Sequence, residues 1–296
     1  MDKGKTPFLI GMLVLPVVQW LIFWLAVNLS SITLAFQDQR TGAWTLENFV
    51  TFWNSLTSPY EEIGIALKNT LIYFAANVLV IIPLSLIISY FIYKKILGYK
   101  GFRIIFYLPA IISSVAMVRS YENFISPSGP LGTILNALGS PLPPEGLLGR
   151  ASTATWTIVV YYIWTGFASN IILFGGVMTR IPLEVLESAR LDGCGAWREL
   201  CSLILPLIWS NVSTMIIFTF TGIFNAGGPI LLFTGGKYDT ATLNFWIFKQ
   251  VYGEGFLGGT GTYNLVSCAG LCFTLVGVPI ILFVRWLSEK IPSVEY

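Results

Sequence analysis

Apolar residues fill long, unbroken stretches of the chain, and charged residues gather between them. Six stretches, about 8 to 36, 65 to 92, 103 to 122, 153 to 179, 206 to 225 and 263 to 286, are candidates for membrane-crossing helices, since about 20 mainly apolar residues cover a hydrocarbon core of about 30 Å. The third and fifth are the shortest. One charged segment, 181–205, interrupts this pattern between the fourth and fifth stretches. Before Asp192-Gly193 its apolar residues Val185, Leu186 and Ala189 share one helical face, while Glu184, Glu187 and Arg190 recur every three residues on another. Asp-Gly predicts a turn, with glycine free to take the backbone angles a reversal needs. Beyond it Ala196, Trp197, Leu200, Leu203 and Ile204 fall on one stripe, and Pro206 is placed to open the next helix at its first turn. The pattern predicts an all-α membrane protein, a single domain over 1–296, with two short amphipathic helices meeting at a glycine elbow.

Composition points the same way: 55% of residues are hydrophobic and 11% charged, with a mean hydropathy of +0.73, against roughly 25% charged in soluble domains. The first stretch follows Lys3 and Lys5 as a signal peptide would, but it is longer and more aromatic and lacks a small-x-small cleavage site, so it reads as a retained signal anchor. Basic residues set the orientation. With the N-terminus inside, Lys94, Lys95, Lys100, Arg103, Arg180, Arg190, Arg198, Arg285 and Lys290 face the cytoplasm with the N-terminal lysines, and Arg40, Lys68, Arg119, Arg150, Lys237 and Lys249 lie outside or near the outer boundary. Both termini and the elbow are then cytoplasmic. A net charge of +2 needs nothing beyond this bias, and no basic stripe calls for nucleic acid.

Several chemistries are excluded by residue type. The chain has no histidine, which removes the commonest general base and metal ligand and any Ser-His-Asp or Cys-His arrangement. It has no Gly-x-x-x-x-Gly-Lys-Ser/Thr loop, so a nucleotide-driven motor would be another polypeptide. Cys194, Cys201, Cys268 and Cys272 are expected to be small packing residues rather than a disulfide framework.

Polar residues inside apolar stretches are costly in lipid and therefore informative. Tyr162, Gly166, Ser169 and Asn170 fall on roughly one side of the fourth stretch, and the fifth carries Asn211, Ser213, Thr219, Thr221 and Asn225. Together they would line a polar path, in which aromatic rings beside amides suit a sugar. The other reading is hydrogen bonding and close packing between helices. Arg119 and Glu122, one turn apart, read as an interfacial ion pair, with Tyr121 and Glu122 as further candidates for the outer mouth of the path.

Glu187-Ser188-Ala189, then Asp192-Gly193, then Leu205-Pro206 after a fixed gap, resemble the EAA loop of ATP-binding-cassette (ABC) importer permeases. Ser188 and Cys194 stand where that family usually has alanine, and Leu200 and Leu203 where it has phenylalanine and isoleucine; these small-for-small and apolar-for-apolar changes should keep the shape of the elbow. The similarity extends to Trp44-Thr-Leu-Glu-Asn48, Ala66-Leu-Lys-Asn69-Thr70, Leu108-Pro109, Gly132-Thr-Ile-Leu-Asn136 and Phe233-Thr-Gly-Gly236 with Thr240, which favour the carbohydrate branch typified by maltose transporters. Thr262-Tyr263-Asn264 departs from that branch's usual start to the last helix.

The resemblance implies a type I importer transmembrane domain in a bacterial or archaeal cytoplasmic membrane, with about six spans. Segment 181–205 would be its coupling loop, seated on an ATPase through Glu187, Ser188, Ala189, Asp192, Gly193, Leu200 and Pro206. Tyr162, Gly166, Ser169 and Thr219 align with sugar-contacting positions. The implied partners are a second permease in a heterodimer, two ATPase subunits holding ATP and Mg, and an extracytoplasmic sugar-binding protein. No cofactor is expected on this chain. Segments 37–64, 123–152 and 226–262 would form the outer docking surface, or caps over short helices. The C-terminal Ser293-Val-Glu-Tyr296 is more similar to the first-type permease partner than to the second. The alternatives are another solute on the same architecture, such as an acidic sugar, glycerol phosphate, a peptide or an amino acid; an ATP-independent transporter or channel; and last a membrane enzyme.

Overall fold

A computed structural model describes residues 5–58, 61–253 and 262–291; Lys3 and the segment Ser293–Tyr296 lie outside them. Among the described residues four helices are long and apolar enough to cross a membrane: α1 (Phe8–Ala35), α3 (Glu62–Tyr93), α7 (Ala151–Met178) and α12 (Tyr263–Glu289). Two of the expected spans are bent pairs. The helix α4 (Tyr99–Ile111) turns by 114° into the helices after Ser114, α5 (Ser114–Ile125) and α6 (Pro130–Ala137), and α9 (Ala196–Leu207) turns by 77° into α10 (Trp209–Thr221). The shorter helices are α2 (Glu47–Thr57), α8 (Leu183–Leu191) and α11 (Leu243–Phe248).

The first bend breaks the expected span 103 to 122, whereas the second falls at the very start of the expected span 206 to 225 and leaves α10 unbroken beyond it. Pro109 removes the amide that would bond the carbonyl of Ile105, and three residues later Ile112 is extended, with φ −81° and ψ 143°. Pro206 ends α9 rather than opening α10, and Ile208, with φ −100° and ψ 9°, makes the corner. Prolines also explain two stretches of wider π winding, Asn77–Ile81 ahead of Pro83 and Glu199–Ile204 ahead of Pro206. Each relieves the clash of the proline ring with the carbonyl four residues back.

The chain divides into two compact units. One comprises residues 1–61 and 247–276. Here two asparagines fasten the end of α1. The Asn48 side-chain amide donates to the Ala35 and Gln37 carbonyls at 3.0 and 2.9 Å, and that of Asn264 donates to Leu34 and Gln37 at 3.0 and 2.6 Å. The following turn is closed by Asp38, whose carboxylate accepts from the Thr41 hydroxyl and from the Thr41 and Arg40 amides. The hydroxyl bond above all, then the amides, holds its pKa below the usual carboxylate value.

The other unit comprises 62–246 and 277–296. Two of the segments that carry the family resemblance meet in it across the sequence. Asn69 donates to the carbonyls of Asp239 and Ala241 at 2.7 and 2.8 Å, and the Thr70 hydroxyl accepts from the Leu243 amide at 2.9 Å. The segments 123–152 and 226–246 carry short helices here, as does 37–58 in the first unit. Among the cysteines, Cys268 is buried, Cys194 and Cys272 half-buried, and Cys201 exposed, so a packing role does not extend to Cys201 within this chain.

Candidate functional site

The elbow is built by a glycine helix end. Gly193 has φ +74°, the Asp192 amide donates to Ser188 at 3.1 Å, and the Cys194 amide reaches back to Ala189 at 3.0 Å. This closes the last carbonyls of α8 in the way left-handed glycine does at helix ends. A side chain at Gly193 would meet no atom within 4 Å, so glycine serves the backbone angle there and not a tight contact.

The α8 faces sort as their spacing predicts. Leu186 is buried and Val185 and Ala189 half-buried, while Glu184, Glu187, Ser188 and Asp192 are exposed, together with the apolar Leu183 and Leu191. The stripe after the turn does not survive intact. The π winding of Glu199–Ile204 shifts the register, so that Leu200 and Ile204 point inward and Leu203 is half-buried, while Ala196 and Trp197 are exposed. Trp197 meets the edge of Phe91 at 6.1 Å.

Two connections tie this elbow to the spans. Leu186 and Leu200 belong to one buried cluster with Ile82 of α3, Phe174 and Met178 of α7, and Val212 of α10. Lys94, just past α3, grips both carboxylate oxygens of Glu199 at 2.8 and 2.7 Å. The Glu199 side chain is 2% exposed and that of Lys94 21%. A carboxylate so buried requires this partner. The residues lie 105 positions apart, and only a glutamate directly preceding the inward-facing Leu200 hints at the pair in the sequence.

A cavity of about 420 Å³ lies further along the same helices, lined by side chains from α3, α7, α10 and the segment after Thr221. Of the residues expected on a polar path it gathers Tyr162, Asn170, Thr219 and Asn225. It adds Phe74, Asn77 and Phe218, which sequence reasoning missed. The Asn77 amide donates to the Tyr162 hydroxyl at 3.2 Å, and Tyr162 is also packed edge-on against Tyr73 at 5.2 Å. Asn77 begins the π-wound stretch of α3; its signal was an amide in the middle of an apolar run. The Thr219 hydroxyl donates to the Met215 carbonyl at 2.9 Å and keeps its lone pairs for a guest. Among the described residues no charged side chain lines this cavity.

The remaining candidates lie elsewhere. Gly166 faces Ile81, whose Cδ1 stands 2.7 Å from where a β-carbon would be, so it is a packing glycine between α7 and α3. Ser169 is exposed outside the lining, as are Asn211 and Thr221. Tyr121 donates to the Thr157 carbonyl at 3.0 Å and packs on Tyr161 and Phe233. Glu122 pairs with Arg119 at 2.7 Å, as its spacing predicts. Neither Tyr121 nor Glu122 reaches the cavity.

Comparison with known proteins accords with this architecture. The chain is 26% identical to the multiple sugar-binding transport system permease protein MsmF of Streptococcus mutans over 255 residues, covering 81% of this chain and 86% of the relative. It is 27% identical to the lactose transport system permease protein LacF of Rhizobium radiobacter over 216 residues, or 69% of each. Its fold superposes with a TM-score of 0.82, at 23% identity and over 98% of both chains, on a chain of a bacterial ABC transporter that imports the acidic polysaccharide alginate. Residues 68–292 match the family of binding-protein-dependent transport system inner membrane components. The chain belongs to that family: it is a multi-pass inner-membrane permease of a binding-protein-dependent importer.

Proposed function

We propose that this permease imports a neutral oligosaccharide or sugar derivative by alternating access, driven by ATP hydrolysed with Mg on separate ATPase subunits. The whole chain acts as one permease domain, with 181–205 as its coupling loop. A second, non-identical permease completes the translocation path, two ATPases seat the elbows from the cytoplasm, and an extracytoplasmic sugar-binding protein delivers the solute. Both termini face the cytoplasm, in line with the excess of Lys and Arg on that side.

The observation that carries this reading is that α7 holds both ends of the machine. Tyr162 and Asn170 line the cavity, and Phe174 and Met178, one to two turns on, pack with Leu186 and Leu200 of the elbow. A displacement of the elbow is therefore carried to the cavity wall along one continuous helix. Exposed Glu187, Ser188 and Asp192, with Leu183 and Leu191 beside them, form the seat, where Glu187 pairs with a cation of the ATPase. Gly193 sets the elbow, and Ala189, Leu200 and Pro206 shape its buried side.

Three side-chain amides, a phenol, a threonine hydroxyl and aromatic rings suit a hydroxyl-rich solute with apolar ring faces. The names of the relatives, multiple sugars and lactose, agree with this. An acidic sugar is the weaker reading because Lys68 and Arg119 both lie outside the lining. The test is ATPase activity of the complex that co-purifies with this chain, with and without the binding protein loaded with candidate glycans. Stimulation by a neutral glycan supports the proposal. Absence of any co-purifying ATPase, with solute movement by the chain alone, would overturn it.

A further inference from the structure

A second and larger cavity, about 730 Å³, opens between the end of α3, the start of α4 and the end of α7, and no part of the transport reading uses it. Two cations, Lys95 and Arg103, line it with three phenols, Tyr93, Tyr99 and Tyr107, and among the described residues no acidic one does. The guanidinium of Arg103 lies over the Tyr107 ring at 5.4 Å, which fixes its position. The opposite wall is apolar, formed by Ile92, Ile171 and Ile172. At its base the Ser89 hydroxyl donates to the Ile171 carbonyl at 3.2 Å, tying α3 to α7.

Two features show that the volume is kept open rather than left over. Gly175 and Gly176 stand side by side within α7 and face the cavity, yet a β-carbon on either would meet nothing within 4 Å. Close packing against another helix of this chain therefore does not account for them. They nonetheless cost the helix about 1 kcal/mol each relative to alanine. Lys95 has φ +53°, a left-handed position at the end of α3 where glycine would be unstrained. Its side chain puts a positive charge on the cavity wall that a glycine there would not.

We infer that this cleft holds an anionic glycerophospholipid of the inner leaflet, its phosphate between Lys95 and Arg103, its polar linkage against the tyrosines and Thr179, and its acyl chains along the isoleucine wall. Basic pockets between membrane helices on the cytoplasmic side take anionic headgroups in this way. The adjoining surface fits acyl chains, since Ile104, Ile105 and Ile172 are all exposed. The leaflet assignment rests on the orientation proposed above, whereas the chemistry of the site does not. A free phosphate ester would satisfy the cations alone and leave the apolar wall uncovered.

The test uses the complex purified with its partners and reconstituted in phosphatidylcholine, with or without phosphatidylglycerol, followed by mass analysis of the lipid retained. The wild-type complex retains phosphatidylglycerol in preference to phosphatidylcholine. The double variant Lys95→Gln/Arg103→Gln loses about tenfold or more of that preference, as expected when two near-surface cations are removed. Gly176→Leu, which fills the cleft and leaves both cations in place, loses it as well. If Gly176→Leu does not assemble, the two exposed cationic positions still decide the matter. Equal retention by wild type and the double variant would overturn the inference. Displacement of the lipid by inorganic phosphate or glycerol phosphate would assign the cleft to a soluble anion instead. Loss of the second permease from the double variant, with lipid retention unchanged, would make it a protein contact. None of these outcomes depends on transport, so failure here leaves the importer reading standing, and failure of that reading leaves this measurement valid.

Discussion

The elbow and the cavity are assembled in opposite ways. The elbow comes from one contiguous stretch, 181–205, held by local hydrogen bonds around Gly193 and then clamped onto the spans by buried leucines and the Lys94–Glu199 pair. The cavity draws single residues from separate helices, Asn77 from α3, Tyr162 from α7 and Thr219 from α10, and among their polar groups one hydrogen bond, from the Asn77 amide to the Tyr162 phenol, crosses between helices. The contrast matches the work proposed for each. A force-bearing element needs stiff connections, and a surface that binds and releases solute needs groups that can exchange partners. Substitutions at the elbow should therefore abolish or uncouple transport, and substitutions at the cavity should change apparent affinity and leave coupling intact.

The largest expected effect is at Gly193. Gly193→Asp places a carboxylate at the proposed ATPase seat and forces a side chain into a left-handed backbone position. Solute uptake should fall to background with the protein still in the membrane; normal uptake by this variant would erase the distinction between the two regions. Next is Lys94→Met, which strands the buried Glu199 carboxylate. Loss of one partner of a buried pair costs about 3 kcal/mol, toward the low end because Lys94 is partly exposed. A clear drop in the melting temperature of the purified complex is expected, and Lys94→Met/Glu199→Leu should recover most of it.

At the cavity, Tyr162→Phe removes the hydroxyl that receives the Asn77 amide. The phenol would also meet a solute hydroxyl, and loss of one such solute hydrogen bond costs about 1 kcal/mol, so transport KM should rise several-fold with the maximal stimulated ATPase rate unchanged. A parallel fall in both would mean that the cavity is part of the coupling machinery. The smallest effect is expected at Ser169, which is exposed and outside the lining. Uptake by Ser169→Ala should stay within about twofold of wild type, and a loss as large as that of Tyr162→Phe would put Ser169 back on the path.

The same contrast governs what could be read from the chain. The elbow was legible because its information is local: apolar residues spaced for one face, an Asp-Gly turn and a proline at a fixed distance. The four continuous spans and the Arg119–Glu122 pair followed from the same local rules. The bends after Ile111 and Leu207 were not legible, because a proline within an apolar run is compatible with a continuous helix until the packing partners are known. The π winding that follows Arg198 likewise turned an expected stripe of five residues into two buried ones, a half-buried one and two exposed ones. Asn77 and Glu199 went unread because each takes its meaning from a partner 85 or 105 residues away. Gly166 and Ser169 shared a helical side with Tyr162, yet helix spacing does not tell whether a neighbouring helix such as α3 covers that side.

The central claim is that the elbow drives the spans through buried connections. The most direct test is the number of sugar molecules transported per ATP hydrolysed in proteoliposomes, comparing wild type with Lys94→Met below its melting temperature. If the ion pair transmits motion into α3, the variant hydrolyses ATP with fewer sugars carried per cycle. A wild-type ratio in that variant, at whatever absolute rate, would contradict the account and leave Lys94–Glu199 as a stabilising contact alone.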